Sequence, residues 1–231
     1  LSRTYRLSAA TNPHAMEIDP DNRFLWRAAP KRLEVEALRD AMLAISGSLD
    51  HTIHHGSPVT ALGQQLARGV DNDRLNPELS VRSVYLPVIR SYLPDVYQEF
   101  DFPSPGLVAA SRATTNTAQQ ALYLLNSDFS LDRAAGLAER LLDARASSSD
   151  RDRIQHGYLL ALSRRPNPLE VSWALEFIHD AMDDLTSDGA TPSEARQRVW
   201  TAWAQTLFLS PEFRYLLEQP NPSFESRLGI R

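Results

Sequence analysis

The clearest pattern of apolar and polar positions lies between Asp19 and Asp50. After Pro30 the apolar residues recur at helical spacing, which predicts a helix with one apolar face. A charged strip runs beside that face, and residues three or four positions apart in it can form ion pairs. The Ser46-Gly47 step predicts the end of the helix, because glycine readily adopts the left-handed conformation. The predicted apolar face contains Leu38, Ala41, Met42, Ile45 and Leu49, and the neighbouring strip contains Arg32, Glu36, Arg39 and Leu43.

The charged strip has two interpretations. In the first it is a solvated helix face, whose exposed ion pairs contribute only about 0.3–0.5 kcal/mol each. In the second it joins polar residues upstream in a partly buried network that fixes the entry of the chain into the helix. That network would contain Asp19, Asn22, Arg23, Arg27, Arg32, Arg39 and Asp40.

Five segments after residue 105 also have helical patterns. Two of them start with Asn or Thr, then Pro, and then Glu three residues after the cap, which predicts a capping box with proline in the first turn. These two starts are at Asn167 and Thr191, and the helices are predicted to end near Leu185 and Leu209. The other three lie within 111–126, 131–142 and 154–163, and their predicted core residues include Ala121, Leu122, Leu124, Leu125, Leu131, Ala134, Ala138, Leu141, Ile154, Tyr158, Leu159 and Leu162.

The first half of the chain is less regular. Residues 62–77 predict a short helical turn with loop, and prolines divide 81–100 into two short helical pieces, with an extended segment as the alternative. No region has the period-two pattern of strands. The predicted fold is therefore all-α: a polar, loop-rich half at 1–105 and a bundle of about five helices at 106–218, together one continuous domain, followed by a tail at 219–231.

Composition narrows the possible functions. The 231 residues include 24 basic and 29 acidic side chains, a net charge of −5 that argues against nucleic-acid or anionic-membrane binding. No apolar run approaches the roughly 20 residues that cross a bilayer. The first six residues lack the apolar region of a signal peptide. The absence of cysteine excludes disulfides, thiolate metal sites and c-type haem attachment within this sequence.

A histidine cluster offers one candidate metal site. His51, His54 and His55 follow Asp50, and histidines three positions apart can share zinc or copper on one turn. A polar loop that carries histidines without a metal is the more common explanation of such a pattern. The histidine site is therefore kept as a minor hypothesis.

Four separated blocks of residues carry a family pattern. They are Thr4-Tyr5-Arg6; Asp19 to Arg23 with Arg27, Arg32-Leu33, Glu36, Arg39-Asp40 and Ser46-Gly47; Arg82 to Tyr85 through Arg90 to Phe100-Asp101; and Arg112, Thr115-Asn116-Thr117, Gln120-Ala121-Leu122 and Leu124-Leu125-Asn126. In order and spacing they resemble the planctomycete cytochrome C-associated domain, a C-terminal domain of unknown function in large cytochrome-linked exported proteins. The later positions Arg164 to Pro166, Glu170 and Ser210 to Phe213 also fit.

The chain also departs from this family pattern. Family members carry a further stretch before the Thr4 block, so Leu1 is expected to be an internal position of a longer protein. Thr114 and Ala118 stand where arginine and proline are usual, and the histidine cluster is not part of the pattern.

The resemblance implies export to the periplasm or the extracellular space and a haem c domain upstream, with no cofactor in this chain. It favours a non-haem structural or interaction module, whose partner is the rest of its own polypeptide or a companion chain, such as a cytochrome domain. The alternative is an enzyme or binding domain for an extracellular polysaccharide or another anionic polymer. Arginines bind sulfate or carboxylate groups in pairs of hydrogen bonds. The resemblance supplies no reaction, so enzymatic activity stays open. The candidate polar cluster contains Asp19, Arg23, Arg39, Asp40, Arg82, Arg112, Asn116 and Gln120.

Geometry distinguishes the two functions. Arginines that converge on an open cleft with spare donors favour binding of an anionic group. Arginines that are satisfied by carboxylates or carbonyls beneath the surface favour a structural role, because unpaired buried polar groups are costly.

Overall fold

The computed structural model describes residues 7–53, 55, 80–86, 88, 93–143 and 149–216. Several predicted features lie partly or wholly outside them: the Thr4-Tyr5-Arg6 block, His54, the segment 62–77, part of the segment 81–100 with Arg90, and the tail at 219–231. The chain divides into two compact units, Leu1–Leu33 with Pro211–Arg231, and Glu34–Ser210. The boundary predicted at residue 105 remains a prediction.

The described part of the chain is all-α, as the sequence predicts, with one short sheet. Within the described part of 81–100, a 3-10 turn covers Ser83–Tyr85, and Pro94 directly precedes an α-helix at Asp95–Glu99. No helix in the described ranges combines the length and the apolar character that crossing a membrane requires. In chain order the helices are α1 (Pro13–Ile18), α2 (Val35–Ser46), α3 (Asp95–Glu99), α4 (Ala118–Asn126), α5 (Asp128–Leu142), α6 (Asp150–Leu162), α7 (Pro168–Ser187), α8 (Pro192–Leu209) and α9 (Pro211–Arg214), and the antiparallel strands are β1 (Lys31–Arg32) and β2 (Tyr215–Leu216).

Helix α2 follows the predicted pattern closely. Val35, Leu38 and Met42 are buried on its inner face, and Gly47 ends it with φ of +80°. One predicted feature of this segment is wrong. Arg32 lies in β1 and not on the helix, so the helical spacing that would pair it with Glu36 does not apply. Glu36 instead pairs with Arg112, which is 76 residues away in the sequence.

The bundle consists of α4 to α8, with α5 packed against α2, α4, α6 and α8. Small side chains on α5 let its neighbours approach closely: a side chain at Gly136 would meet Ser46 of α2 at 3.1 Å. Larger residues of α8 fill the centre, where Trp200 and Phe208 are fully buried. The fully buried residues of α5 are Ser130, Ala134, Leu137, Ala138 and Leu141.

The predicted helix starts are confirmed. Asn167 and Thr191 each form a capping box with a glutamate three residues later, and each is followed by proline. Thr117 forms a third capping box with Gln120 at the start of α4. Each box satisfies backbone N–H groups that have no partner within the helix.

Three predicted core positions are wrong because a polar or small residue takes the inward place. On α4, Leu122 and Leu125 are 55% and 45% exposed, while Gln120 is buried next to Leu124. On α6, Leu159 is 46% exposed. Gly157 of the same helix faces inward, where an added Cβ would lie 2.7 Å from the ring of Trp203. Positions 157 and 159 are about 200° apart on a helix, so close packing at one turns the other outward.

Two further predicted core positions are also wrong, because their residues are exposed. Leu131, at the start of α5, is 37% exposed, and Ala121 on α4 is also exposed. Both belong to apolar patterns that are wider than the buried stripe. An apolar pattern marks the side of a helix that faces the core, and the width of the buried stripe depends on how many neighbours pack there.

Candidate functional site

Asp19 organises the loop after α1, in the unit formed by the chain termini. Its side chain is 6% exposed, and its carboxylate accepts the backbone N–H groups of Arg23 at 2.9 Å and Phe24 at 2.8 Å. The backbone carbonyl of Asp19 accepts the indole N–H of Trp26. Arg23 itself is exposed. Within this unit, the carboxylate of Asp19 is engaged with the backbone of its own loop.

Asn22 completes this loop at a positive φ of 54°. Its side-chain amide donates to the carbonyl of Arg27 at 2.9 Å and accepts the N–H of Arg27 at 3.2 Å. Asparagine tolerates the left-handed region better than most residues, because its short polar side chain can bond the local backbone.

Arg39 is the centre of the polar cluster in the second unit. It is 4% exposed although it is charged. One terminal nitrogen donates to the carbonyl of Val81 at 2.9 Å and to Oγ of Ser83 at 3.2 Å, and lies 3.5 Å from Asp40. Asp40 accepts both the backbone N–H and the hydroxyl of Ser83, at 2.8 and 2.7 Å. These two neighbours on α2 therefore hold the segment that contains the 3-10 turn.

Arg112 forms the second polar contact of α2. Its two terminal nitrogens donate to the two carboxylate oxygens of Glu36, at 2.7 and 2.8 Å. Its guanidinium also lies over the ring of Phe102, 5.2 Å from the centroid, and Phe102 stacks on Tyr97 at 4.8 Å. Tyr97 is 1% exposed, and its hydroxyl oxygen is buried. A continuous stack thus connects the exposed guanidinium to the interior.

Gln120 forms the third contact, between α4 and the preceding loop. Its amide nitrogen donates to the carbonyl of Glu99 at 3.0 Å and to Oγ1 of Thr115 at 3.2 Å. Thr115 in turn donates its N–H and hydroxyl to the carboxylate of Asp101. Asp101 has φ of +62°, so its own bonds hold a backbone turn that would otherwise be unfavourable. Asn116, beside this group, is exposed.

The predicted candidates therefore do not form one site but several separate contacts. Arg39 joins Asp40, Arg112 joins Glu36, and Gln120 joins Asp101. Arg82, next to Ser83, is exposed, and its side chain takes no part in these hydrogen bonds. Asp19 and Arg23 belong to the other compact unit.

Two arginines of α5 form further polar contacts near the end of α2, and the sequence analysis did not include them among its candidates. Arg133 donates to Oγ of Ser48 at 2.6 Å, and Arg140 donates to the carbonyls of Ala44 and Ile45 at the end of α2. One signal could have found Arg140. The last turn of α2 contains no basic residue, and the carbonyls at a helix end attract cations.

The ring of Phe129 on α5 lies close to the guanidinium groups of two arginines. The guanidinium of Arg39 lies 5.9 Å from the centre of its ring and that of Arg133 lies 5.6 Å away. A ring face attracts a cation, and an aromatic ring beside two guanidinium groups reduces the cost of holding them close.

Burial and pairing set the ionisation of the cluster. Burial lowers the pKa of Arg39. Burial raises the pKa of Tyr97, and it raises that of Tyr123 to about 12. Burial also opposes ionisation of Glu36, but its hydrogen bonds with Arg112 and with its own backbone outweigh burial and lower its pKa. The pKa shifts of Glu36, Tyr97 and Tyr123 lead away from neutral pH, where general acid–base catalysis operates best.

The described residues contain no group of three or more His, Asp or Glu side chains arranged to hold a metal ion. His51 and His55 are exposed, and His54 lies outside the described residues. The histidine site therefore stays a prediction.

Comparison with known proteins agrees with the pattern read from the sequence. No curated protein and no solved structure matches the chain. One family model does match, over residues 1–178, and this range includes α2 and every residue of the polar cluster. The chain therefore belongs to the PSD1 family, described as "Protein of unknown function (DUF1553)".

Proposed function

We propose that this chain is a non-haem structural and interaction module of a larger exported, cytochrome-linked protein. Its partners would be the rest of its own polypeptide or a companion chain, including a cytochrome domain. The observation that carries the proposal is the state of Arg39: the most buried arginine of the cluster donates to the protein itself and not into a cleft.

The polar contacts of α2 and α4 serve a common purpose. Arg39 and Asp40 bond the backbone at Val81 and Ser83, and Gln120 bonds the backbone at Glu99. The segments they hold, 80–86 and 93–117, have little regular secondary structure to satisfy their own backbone groups. Buried backbone groups need partners. The cluster therefore supports a role in fixing irregular segments onto a helical framework.

The alternative, recognition of an anionic polymer, requires arginine donors that are free to bind it. Arg112 uses both terminal nitrogens on Glu36. A polymer sulfate or carboxylate would have to displace a carboxylate that already has ideal paired geometry. This contact favours the structural role over polymer binding.

The experiment is to isolate the natural protein and to determine its intact mass, its haem content and its cross-linked peptides. The proposal expects this chain in one polypeptide or one complex with a haem c domain, with cross-links between the two. A mature chain that carries no haem partner and purifies alone would contradict it. In parallel, binding to polygalacturonate and dextran sulfate is measured by calorimetry, and saturable binding that Arg112→Ala abolishes would support the alternative.

A further inference from the structure

Helix α7 has an exposed apolar stripe in addition to its buried apolar face. Its inner face buries Val171, Ala174 and Ile178 against the bundle. Its outer face exposes Leu169, Trp173 and Phe177, which are 62%, 63% and 41% exposed. Successive members of this set are four positions apart, so they form one stripe on the helix, centred about 130° around the helix axis from the buried face. A surface helix of a bundle needs only one apolar face.

The charges of α7 are as unusual as its apolar stripe. The helix contains five carboxylates and no lysine or arginine. Glu170 is engaged near the N-terminus, where it accepts two hydrogen bonds from Arg164. Glu176 lies near the middle of the helix, and Asp180, Asp183 and Asp184 occupy the C-terminal half. His179 lies 3.1 Å from Asp183. Negative charge at the C-terminal end of a helix opposes the helix dipole, so this arrangement weakens the isolated helix.

The stripe and the carboxylates belong to one surface. Asp180 and Asp184 lie on the same side of the helix as Trp173 and Phe177, closer to its C-terminal end. Asp180 follows Phe177 by three positions and Asp184 follows Asp180 by four, and both spacings make neighbours on a helix surface. An α-helix of 20 residues is about 30 Å long, so this surface can accommodate a partner helix of several turns. The two halves of this surface are complementary to different groups: an apolar side chain near Trp173 and a positive charge near Asp184.

We propose that this outer face of α7, defined by Leu169, Trp173, Phe177, Asp180 and Asp184, docks a basic amphipathic helix of a partner. The proposal rests on the proposed interaction function and identifies the surface through which it acts. Charge complementarity selects the occupant. A symmetric contact with a second copy would place Asp180 and Asp184 against the same carboxylates or against the apolar half of the other helix, and neither arrangement supplies positive charge. Anionic lipid would be repelled. A helix with an apolar stripe and flanking lysines or arginines satisfies both halves of the surface.

The test uses the full chain and a fluorescently labelled 18-residue peptide of leucine and lysine, arranged to form an amphipathic helix. Binding is followed by anisotropy at two salt concentrations. Trp173→Ser and the double variant Asp180→Lys/Asp184→Lys are expected to weaken binding by about tenfold or more, because a buried aromatic anchor dominates such interfaces. Added salt is expected to weaken wild-type binding, since the carboxylates contribute by charge.

Matched control variants distinguish binding at the α7 surface from non-specific binding of the peptide. Leu122→Ser removes an apolar side chain of similar exposure from α4, and Glu139→Lys reverses an exposed charge on α5. Both are expected to bind the peptide as the wild type does. Circular dichroism confirms that each variant is folded. A peptide of leucine and glutamate with the same pattern is expected not to bind.

Three results would overturn the docking surface: failure of the lysine peptide to bind, equal binding by the α7 variants, or equal binding of the glutamate peptide. Self-association of the chain that Trp173→Ser abolishes would assign the face to a second copy and would also overturn it. Cross-linking of the natural assembly distinguishes the two proposals. Cross-links to a haem partner that avoid α7 would refute only this inference. Peptide binding at α7 without any haem partner would refute only the proposed function.

Discussion

Arg112 and Glu36 meet through two parallel hydrogen bonds, at 2.7 and 2.8 Å, although 76 residues separate them. Glu36 belongs to α2, and Arg112 lies in the loop before α4. The pair therefore joins a loop without regular structure to the central helix. Because the Arg112 side chain is 36% exposed, solvent screens the attraction.

We expect a modest coupling between these two residues. In a double-mutant cycle of Arg112→Ala and Glu36→Ala, urea unfolding should give a coupling free energy of about 0.5–1 kcal/mol. Arg112→Lys should retain less than half of it, since lysine cannot form the paired geometry. A coupling free energy of zero would show that the pair does not hold the loop.

The stability of the chain should fall in acid partly through two glutamates. The hydrogen bonds from Arg164 lower the pKa of Glu170, and Glu36 also has a lowered pKa, so both titrate below the ordinary value of 4.5. The folded state then binds fewer protons than the unfolded state. Their contribution is complete above pH 4.5 and is lost as pH falls through the folded pKa values.

Urea unfolding at pH 7 and pH 3.5 measures this effect. The variants Glu36→Gln and Glu170→Gln should each lose less stability between the two pH values than the wild type does. Glu176→Gln, an exposed position on the same helix as Glu170, is the control and should behave as the wild type. A wild-type slope in all three variants would refute the assignment.

Removing a cap should weaken α7. The side chain of Asn167 accepts the backbone N–H groups of Leu169 and Glu170, both at 2.9 Å. Asn167→Ala leaves these groups to water and is expected to cost about 1 kcal/mol of unfolding free energy. Ser172→Ala, at an exposed position within the helix, is the control. Equal stability of the two variants would mean that the cap contributes nothing.

Gly157 is a second position where a single methyl group should matter. A Cβ there would lie 2.7 and 2.8 Å from two ring atoms of Trp203, which is 4% exposed and packs against Trp200. We expect Gly157→Ala to destabilise the bundle by about 1–3 kcal/mol, in spite of the higher helix propensity of alanine.

Thermal and urea unfolding measure this change, with Arg151→Ala on the exposed side of α6 as the control for an added alanine. If Gly157→Ala were as stable as the wild type, Trp203 would have to move aside freely. That result would contradict the close packing of α6 on α8.

The sequence predicts what local chemistry determines. The caps at Asn167 and Thr191 and the end of α2 at Gly47 depend on residues within a few positions, so they can be found from spacing alone. The buried stripe of α4 cannot, because Gln120 is buried in order to bond the backbone of a segment 21 residues away. Periodicity alone favours the leucines at 122 and 125, which are exposed.

The polar cluster shows the same division. Its residue types and helix α2 can be recognised in the sequence. Its partners are not, because Arg39 bonds a carbonyl 42 residues away and Arg140 bonds one 96 residues away. Only the packing of α5 against α2 brings the latter pair together. Arginines at a binding site and arginines at a structural contact look alike until these distances are known.

The free energy of unfolding of Arg39→Met tests the structural role of the cluster most directly. Methionine removes the donor to the carbonyl of Val81 and the positive charge beside Asp40, so we expect a loss of about 3 kcal/mol or more. The neighbouring variant Arg82→Met, at an exposed position, should change stability by no more than about 0.5 kcal/mol. If Arg39→Met were instead as stable as the wild type, or more stable, the buried arginine would be held for binding rather than for the fold, and the structural role would be wrong.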